Sequence, residues 1–123
     1  MAHSILLVDD NRVIRQVLRG MFEAIGFVCS ESEDGQQALA EARRFKPDLI
    51  VLDYSMPVMN GLEAAPLLRK ALPLTPIIMF TMFANHAFAT QALDAGVTAV
   101  VFKEQAATHL LPKAESLLNS TRT

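Results

Sequence analysis

One stretch points directly to the fold class: Pro47-Asp48-Leu49-Ile50-Val51-Leu52-Asp53. Its four apolar residues form a compact run with an aspartate on either side. An uninterrupted apolar run of this length is typical of a strand that is covered on both faces, and such strands occur in parallel sheets with helices on both sides. The stretch therefore predicts a buried strand that ends at the carboxylate of Asp53.

On either side of this strand, short apolar runs alternate with longer segments of helical periodicity. The predicted strands are 5–8, 27–29, 49–52, 77–80 and 99–102, and the predicted helices are 12–25, 36–45, 62–71, 85–95 and a tail that ends near 118. Pro66 and Pro112 each fall about one turn inside a predicted helix, so those two helices are expected to start later or to kink. The alternation predicts an α/β fold with a parallel sheet and right-handed crossovers.

The composition restricts the class of protein. A length of 123 residues is typical of one domain. The formal net charge is −2 and the basic residues are scattered, which argues against a nucleic-acid surface. Cys29 is the only cysteine, so no internal disulfide is expected, and no apolar run has the length of a signal peptide or a membrane span. The expectation is a cytoplasmic protein whose partners include neither nucleic acid nor a membrane.

Polar residues follow four of the predicted strands at their carboxyl ends: Asp9 and Asp10, then Asp53, Thr81 and Lys103. In a parallel sheet these ends share one edge, where ligands bind. Carboxylates about 5 Å apart repel each other by roughly 3 kcal/mol, and Mg²⁺ would relieve that repulsion. An ionised aspartate can attack phosphorus, while a hydroxyl and an ammonium can bind phosphate oxygens. The residues therefore predict a metal-assisted phosphoryl-transfer site with Asp53 as the nucleophile.

Each of these residues taken alone has a plainer interpretation. Asp53, Asp9 and Asp10 could cap the helices that follow them and favour the positive helix end. A single threonine or lysine is an ordinary surface residue, and the Asn60-Gly61 pair is interpreted as a structural turn. Three histidines lack metal-ligand spacing and are predicted to face solvent: His3, His86 and His109. The convergence of five polar residues on one edge favours the functional interpretation.

Together these residues resemble the receiver domain of two-component response regulators. The resemblance covers nearly the whole chain and rests on 5–10 (ILLVDD), 47–53 (PDLIVLD), Met56-Pro57, Asn60-Gly61, 76–81 (PIIMFT), Ala95-Gly96 and Lys103. It implies a flavodoxin-like (βα)5 fold with helices on both faces of a sheet of strand order 2-1-3-4-5.

The resemblance also implies a metal site. Asp10 and Asp53, with the backbone carbonyl of Ser55, would bind Mg²⁺ or Mn²⁺, and Asp9 would act mainly through a water molecule on the metal. These four residues are the predicted metal-site residues.

The remaining implied roles concern phosphate and partners. Asp53 would accept the phosphoryl group from a sensor histidine kinase or a phosphotransfer protein. Thr81 and Lys103 would hold the phosphoryl oxygens and draw their loops inward. An output domain or effector would bind the face of helix 4 and strand 5, and the sequence leaves open both homodimer formation and whether the domain stands alone or belongs to a longer regulator.

Three positions depart from the family pattern. Val100 stands where many receivers have an aromatic residue that turns inward, which puts that form of coupling in question. Glu104 follows the lysine where proline is common, so the local geometry is expected to differ. Met82 stands where small residues are usual, and with Phe83 it is expected to narrow access to the phosphate pocket or to form an exposed patch for a partner.

Two other functions remain as alternatives to the switch. A phosphohydrolase with an aspartyl-phosphate intermediate resembles an Asp-x-Asp pattern, and here the residue two positions after Asp53 is Ser55. An adaptor that signals without phosphate stays open because of Val100 and Glu104. The leading prediction is a switch that catalyses only its own phosphorylation and dephosphorylation.

Overall fold

The strands lie side by side in the order β2-β1-β3-β4-β5, and every pairing is parallel. The structure is a computed structural model that describes residues 2–82 and 85–121. The strands are β1 Ser4–Val8, β2 Val28–Ser32, β3 Leu49–Leu52, β4 Ile77–Thr81 and β5 Ala99–Phe102. The helices are α1 Arg12–Ala24, α2 Gly35–Phe45, α3 Gly61–Ala71, α4 His86–Asp94 and α5 Leu111–Thr121, with a 3₁₀ turn Lys103–Gln105 and a π-helix Ala106–Leu110 before α5. The predicted fold class and strand order are confirmed.

The core lies on both faces of the sheet. Leu49 and Val51 of β3 belong to one buried cluster, which includes residues of α1 and α5. Ile50 and Leu52 belong to the other, which includes residues of α2, α3 and α4. These four side chains are at most 1% exposed. The prediction that this strand is covered on both faces is therefore confirmed, and its pairing with β1 and β4 positions the residue that follows it.

The second strand differs from its prediction. It was expected at 27–29, and it runs over Val28–Ser32, paired with β1 from Ser4↔Val28 to Val8↔Ser32. The predicted strand was too short because β2 lies at the edge of the sheet. Its polar residues interrupt the apolar pattern that identifies a strand, and its pairing with β1 sets its length. Cys29 is 7% exposed and lies in the core, as expected of a small hydrophobic residue.

Pro66 and Pro112, which were each expected about one turn inside a helix, are accommodated in different ways. α3 starts at Gly61, behind a capping box made by Asn60 and Glu63, and continues through the exposed Pro66, so a later start is wrong there. α5 starts at Leu111, immediately before Pro112, so the α-helix itself starts late, but it follows directly on the π-helix Ala106–Leu110. The proline therefore lies at the change from π-helical to α-helical hydrogen bonding.

The prediction that all three histidines face solvent is wrong for His3. Its side chain is half-buried, with Nδ1 3.8 Å from Asp48 Oδ2 and its ring 5.7 Å from that of Phe27. His86 and His109 are exposed, as predicted. Among the helices of residues 2–82 and 85–121, none has the length and apolar character needed to cross a bilayer.

Arg69 of α3 joins the loops at the amino-terminal edge of β4 and β5. Its guanidinium donates to the carbonyl oxygens of Leu72, Pro73, Thr75 and Gly96 and to Thr98 Oγ1. Burial lowers the pKa of Arg69. Because these acceptors are spread over two loops, a single side chain holds both loops together.

Replacing Arg69 with lysine is expected to lower the free energy of unfolding by about 2–3 kcal/mol, because an ammonium cannot reach as many of these oxygens. Urea unfolding of the variant beside Arg43→Lys, an exposed arginine of α2, measures the difference. Equal stability of the two variants would contradict the role assigned to Arg69.

Candidate functional site

The carboxyl edge of the sheet contains a cleft of about 550 Å³. Three of the polar residues expected there are buried: Asp9 is 2% exposed, Asp53 4% and Thr81 1%. Asp10 is exposed at the surface of the cleft. The lining contains every residue predicted for the site: Asp9, Asp10, Asp53, Ser55, Thr81 and Lys103. The structure thus brings together all six.

The strand ladder positions two of the acids. The N–H of Asp9 donates to the carbonyl of Ser32 at 3.1 Å, and the N–H of Asp53 donates to that of Val8 at 2.8 Å. Each bond continues the parallel pairing one residue beyond the strand. The backbone of both acids is therefore positioned by the hydrogen bonds of the sheet.

Asn11 holds the loop between β1 and α1. Its side-chain oxygen accepts from the N–H groups of Val13 and Ile14, so Asn11 caps α1. Its own N–H donates to Asp9 Oδ1 at 2.9 Å. The interpretation of Asp9 as the helix cap is therefore wrong, and its carboxylate is free to face the cleft. The sequence signal was present, because asparagine is among the preferred capping residues.

Lys103 is the counter-charge of the buried acids. Its Nζ lies 2.9 Å from Asp9 Oδ2 and 3.3 Å from Asp53 Oδ1. The side chain is 15% exposed, and the ammonium lies 5.8 Å from the ring centroid of Phe80. One cation thus contacts two carboxylates from different strands.

The three carboxylates are close enough to share a second cation. Asp9, Asp10 and Asp53 each offer one oxygen, and these oxygens lie within 4.8 Å of one another. Hard oxygen donors suit Mg²⁺ or Mn²⁺, and the exposed side of Asp10 leaves room for the water ligands that Mg²⁺ retains. The residues present therefore fit a Mg²⁺ ion.

The electrostatics of Asp53 follow from its surroundings. Burial and the negative charge of Asp9 raise the pKa of Asp53 to about 6, although Lys103 and the N–H of Tyr54 act in the opposite direction. Burial also works against the charge of Lys103, but its contacts with Asp9 and Asp53 outweigh it and raise the pKa of Lys103. Ionisation of Asp53 therefore costs free energy in this cleft, and a bound cation would offset that cost.

Gly61 has a role in the site that sequence reasoning missed. The turn it forms with Asn60 was predicted to be structural, and its N–H does bind the carbonyl of Tyr54 at 2.8 Å. A Cβ at this position would lie 2.4 Å from the backbone oxygen of Asp53. The absent side chain therefore lets α3 begin directly against the backbone of Asp53.

The positions that depart from the family pattern lie beside the cleft. Val100 of β5 is half-buried and packs against the buried cluster that includes residues of α4. An aliphatic side chain thus stands where many receivers have an aromatic one. Glu104 is exposed in the 3₁₀ turn, and no described peptide bond is cis. Met82 lines the cleft while 80% exposed, and Phe83 lies outside the described residues. Both expectations for Met82, narrower access to the phosphate pocket and an exposed patch for a partner, therefore stay predictions.

A family model for the response regulator receiver domain matches residues 5–115. The chain belongs to this family. It is 40% identical over 124 residues to a protein-glutamate methylesterase/protein-glutamine glutaminase of Hahella chejuensis, covering 96% of this chain and 35% of that protein. It is 34% identical to the response regulator protein VraR of Staphylococcus aureus, covering 87% of this chain and 52% of VraR.

Solved receiver structures have the same fold. The response regulator domain of CheB from Thermotoga maritima is 30% identical with a TM-score of 0.89, covering 97% of this receiver and 98% of that chain. A CheY-like receiver protein of Methanospirillum hungatei is 25% identical with a TM-score of 0.93, covering 99% and 98% of the two chains. This receiver therefore spans whole receiver domains but only about a third to half of the two curated relatives named above.

Proposed function

We propose that this receiver is a signalling switch in which Asp53 accepts a phosphoryl group from a sensor histidine kinase or a phosphotransfer protein. The observation that carries the proposal is the meeting of Asp53 with Asp9, Asp10 and Lys103 in one cleft. A carboxylate oxygen of Asp53 attacks the phosphorus of the phosphohistidine and an aspartyl phosphate forms. The phosphorus–nitrogen bond breaks, its electron pair stays on that nitrogen, and the histidine leaves as a neutral imidazole with a proton on its other ring nitrogen. The membership of the receiver family supports the same reaction.

The cation would be held by residues of the cleft. Asp10 and Asp53, with the backbone carbonyl of Ser55, would be its ligands, and Asp9 would contribute its charge nearby. When bound, Mg²⁺ or Mn²⁺ supplies positive charge that offsets the carboxylates and the phosphoryl oxygens. The crowding of three carboxylate oxygens within 4.8 Å supports this assignment.

The switch would operate through Lys103 and Thr81. In the unphosphorylated protein Lys103 binds Asp9 and Asp53 directly. A phosphoryl group on Asp53 adds about −1.5 to −2 charges and three acceptor oxygens, so both donors gain a new partner that lies farther from the sheet. A nearly complete change of state needs roughly 5.5 kcal/mol of differential binding. Charge-assisted hydrogen bonds from two donors can supply much of it.

The face of α4 and β5 is the proposed binding surface for the output. An effector, an output domain or a second copy of the chain would bind this face after the loops move. The neighbouring groove of about 250 Å³ lies on the other side of β5, toward α5. The family supports a cytoplasmic setting, and the chain would act as one receiver domain, alone or as part of a longer regulator.

We assign the chain no reaction beyond its own phosphorylation and dephosphorylation. The methylesterase relative is matched over only 35% of its length, so its named activity does not extend to this chain. Ser55 stands where an aspartyl-phosphate hydrolase would have its second acid. These observations favour the switch over an enzyme that acts on other substrates.

The decisive test is the intact mass after incubation with Mg²⁺ and a phosphodonor, either acetyl phosphate or a phosphorylated histidine kinase. We expect the gain of one phosphoryl group, which is lost completely in Asp53→Asn and in the presence of EDTA. Asp48→Asn is the matched control, since it changes the aspartate at the other end of the same strand, and it should retain the gain.

Three results would contradict the proposal. A gain that persists in Asp53→Asn would place the acceptor elsewhere. No gain from either donor would favour the adaptor that acts without phosphate. Sustained hydrolysis of an unrelated phosphate ester would favour the phosphohydrolase.

A further inference from the structure

The peptide group that joins Asp9 to Asp10 is held by a side chain of α1. Arg15 Nη1 donates to the carbonyl oxygen of Asp9 at 2.7 Å. This carbonyl and the N–H of Asp10 belong to one planar unit. The orientation of that unit sets the directions in which both acidic side chains leave the backbone. A contact with this oxygen therefore acts on two predicted metal-site residues at once.

Arg15 is itself held in a fixed orientation. Its Nε donates to Glu31 Oε1 at 2.9 Å, and the other oxygen of Glu31 accepts from Arg19 Nη1 at 2.8 Å. The Arg15 side chain is 12% exposed and that of Glu31 is 26% exposed. Because the guanidinium is planar, the bond to Glu31 fixes the direction of the bond to Asp9. The edge strand β2, helix α1 and the acidic loop are thus connected through one arginine.

The loop is also restrained from its other sides. The N–H of Asp9 binds the carbonyl of Ser32, and Asp9 Oδ1 accepts from the N–H of Asn11. Lys103 binds the other carboxylate oxygen of Asp9, and Arg15 restrains its backbone carbonyl. Removing Arg15 would leave that carbonyl free to rotate, while the strand pairing before it stays intact.

We propose that Arg15, oriented by Glu31, is a positioning residue that sets the affinity of the acidic cleft for a divalent cation without contacting the cation. This inference rests on the proposed function of the cleft. Two effects of Arg15 oppose each other, because its positive charge repels a cation while its hydrogen bond orders the ligands. Groups that orient metal ligands typically change affinity by 10- to 100-fold, so the ordering effect is expected to exceed the repulsion.

Arg15→Lys separates the two effects, since it keeps the charge and removes the planar fork that reaches two acceptors. We expect the dissociation constant for Mg²⁺, measured by calorimetry, to rise about tenfold. In the metal-free protein we expect faster hydrogen exchange at the Asn11 amide, which donates to Asp9. Arg15→Met should also weaken Mg²⁺ binding, although it removes a repulsive charge.

Arg19→Lys is the matched control, because Arg19 contacts the same glutamate one turn farther along α1. It should leave the Mg²⁺ dissociation constant within about twofold of the wild type. Glu31→Gln provides a second route should Arg15→Lys fail to fold, and it should weaken Mg²⁺ binding in the same direction by a smaller factor. Thermal unfolding in EDTA establishes that each variant is folded.

Unchanged Mg²⁺ affinity in Arg15→Lys would overturn the inference, and so would tighter binding in Arg15→Met. In either case the wild-type protein would still bind Mg²⁺ and accept phosphate, so the proposed function would stand. A wild-type protein that neither binds Mg²⁺ nor accepts phosphate would overturn the proposed function, and this inference with it.

Discussion

Replacing Lys103 with methionine is expected to destabilise the metal-free protein by about 3 kcal/mol at pH 7, because it leaves Asp9 and Asp53 buried without their cation. Asp9 is 2% exposed and Asp53 is 4% exposed, so both acids depend on the ammonium that lies 2.9 and 3.3 Å from their oxygens. Saturating Mg²⁺ should recover most of the lost stability, because the metal restores positive charge between the acids.

The pH dependence of this effect follows from Asp53. Its pKa is raised from 3.8 to about 6, so between these values the folded protein binds more protons than the unfolded chain. Stability contributed by this group therefore falls as the pH rises through that window. Without Lys103 the folded pKa rises further, and the fall continues to higher pH. The penalty of Lys103→Met should accordingly be smaller at pH 5 than at pH 7.

Chemical unfolding in EDTA at both pH values, and again with Mg²⁺ at pH 7, measures these differences. Lys113→Met is the matched control, since this lysine of α5 is exposed, and it should change stability by less than about 0.5 kcal/mol. A penalty for Lys103→Met that is equally large at pH 5 and unaffected by Mg²⁺ would show that the ammonium does not balance these acids.

Substituting Gly61 by alanine is expected to cost about 3 kcal/mol and to slow phosphorylation at least tenfold. The new methyl group would lie 2.4 Å from the Asp53 backbone oxygen and 2.9 Å from Tyr54 Cα. Both contacts are with backbone, so no side chain can move aside, and either α3 or the acceptor has to shift. Because reacting groups must be aligned closely, a small displacement of Asp53 is enough to slow the transfer.

Gly20→Ala is the same substitution at an open position, and we expect the opposite change in stability. Gly20 is exposed in α1, and apart from the adjoining residues and backbone of α1 itself no atom lies within 4 Å of its added Cβ. Alanine should therefore stabilise the protein by up to about 1 kcal/mol through helix propensity, with phosphorylation unchanged. Unfolding curves and phosphorylation rates measured side by side test the pair. A Gly61→Ala protein as stable and as fast as Gly20→Ala would contradict the proposed close contact with Asp53.

Much of this site could be predicted from the sequence because its residues follow directly after strands. Asp9, Asp53 and Lys103 each come at the end of an apolar run, and parallel strands bring such ends to one edge. The polar edge strand β2 was less predictable, because its pairing with β1 rather than its own pattern sets its length. His3 was misjudged for a similar reason, since its burial depends on Asp48 and Phe27, which are distant in sequence.

The strand–helix alternation and the residues at the strand ends follow from the order of amino acids, because hydrophobic periodicity and breaking residues act over a few neighbours. The contact of Lys103 with Asp9, 94 residues away, and that of Arg15 with the carbonyl of Asp9 are visible only in the folded protein. The folded protein also shows that the missing side chain of Gly61 makes room for the Asp53 backbone. Such contacts depend on how separate elements pack in three dimensions, and no spacing along the chain encodes that packing.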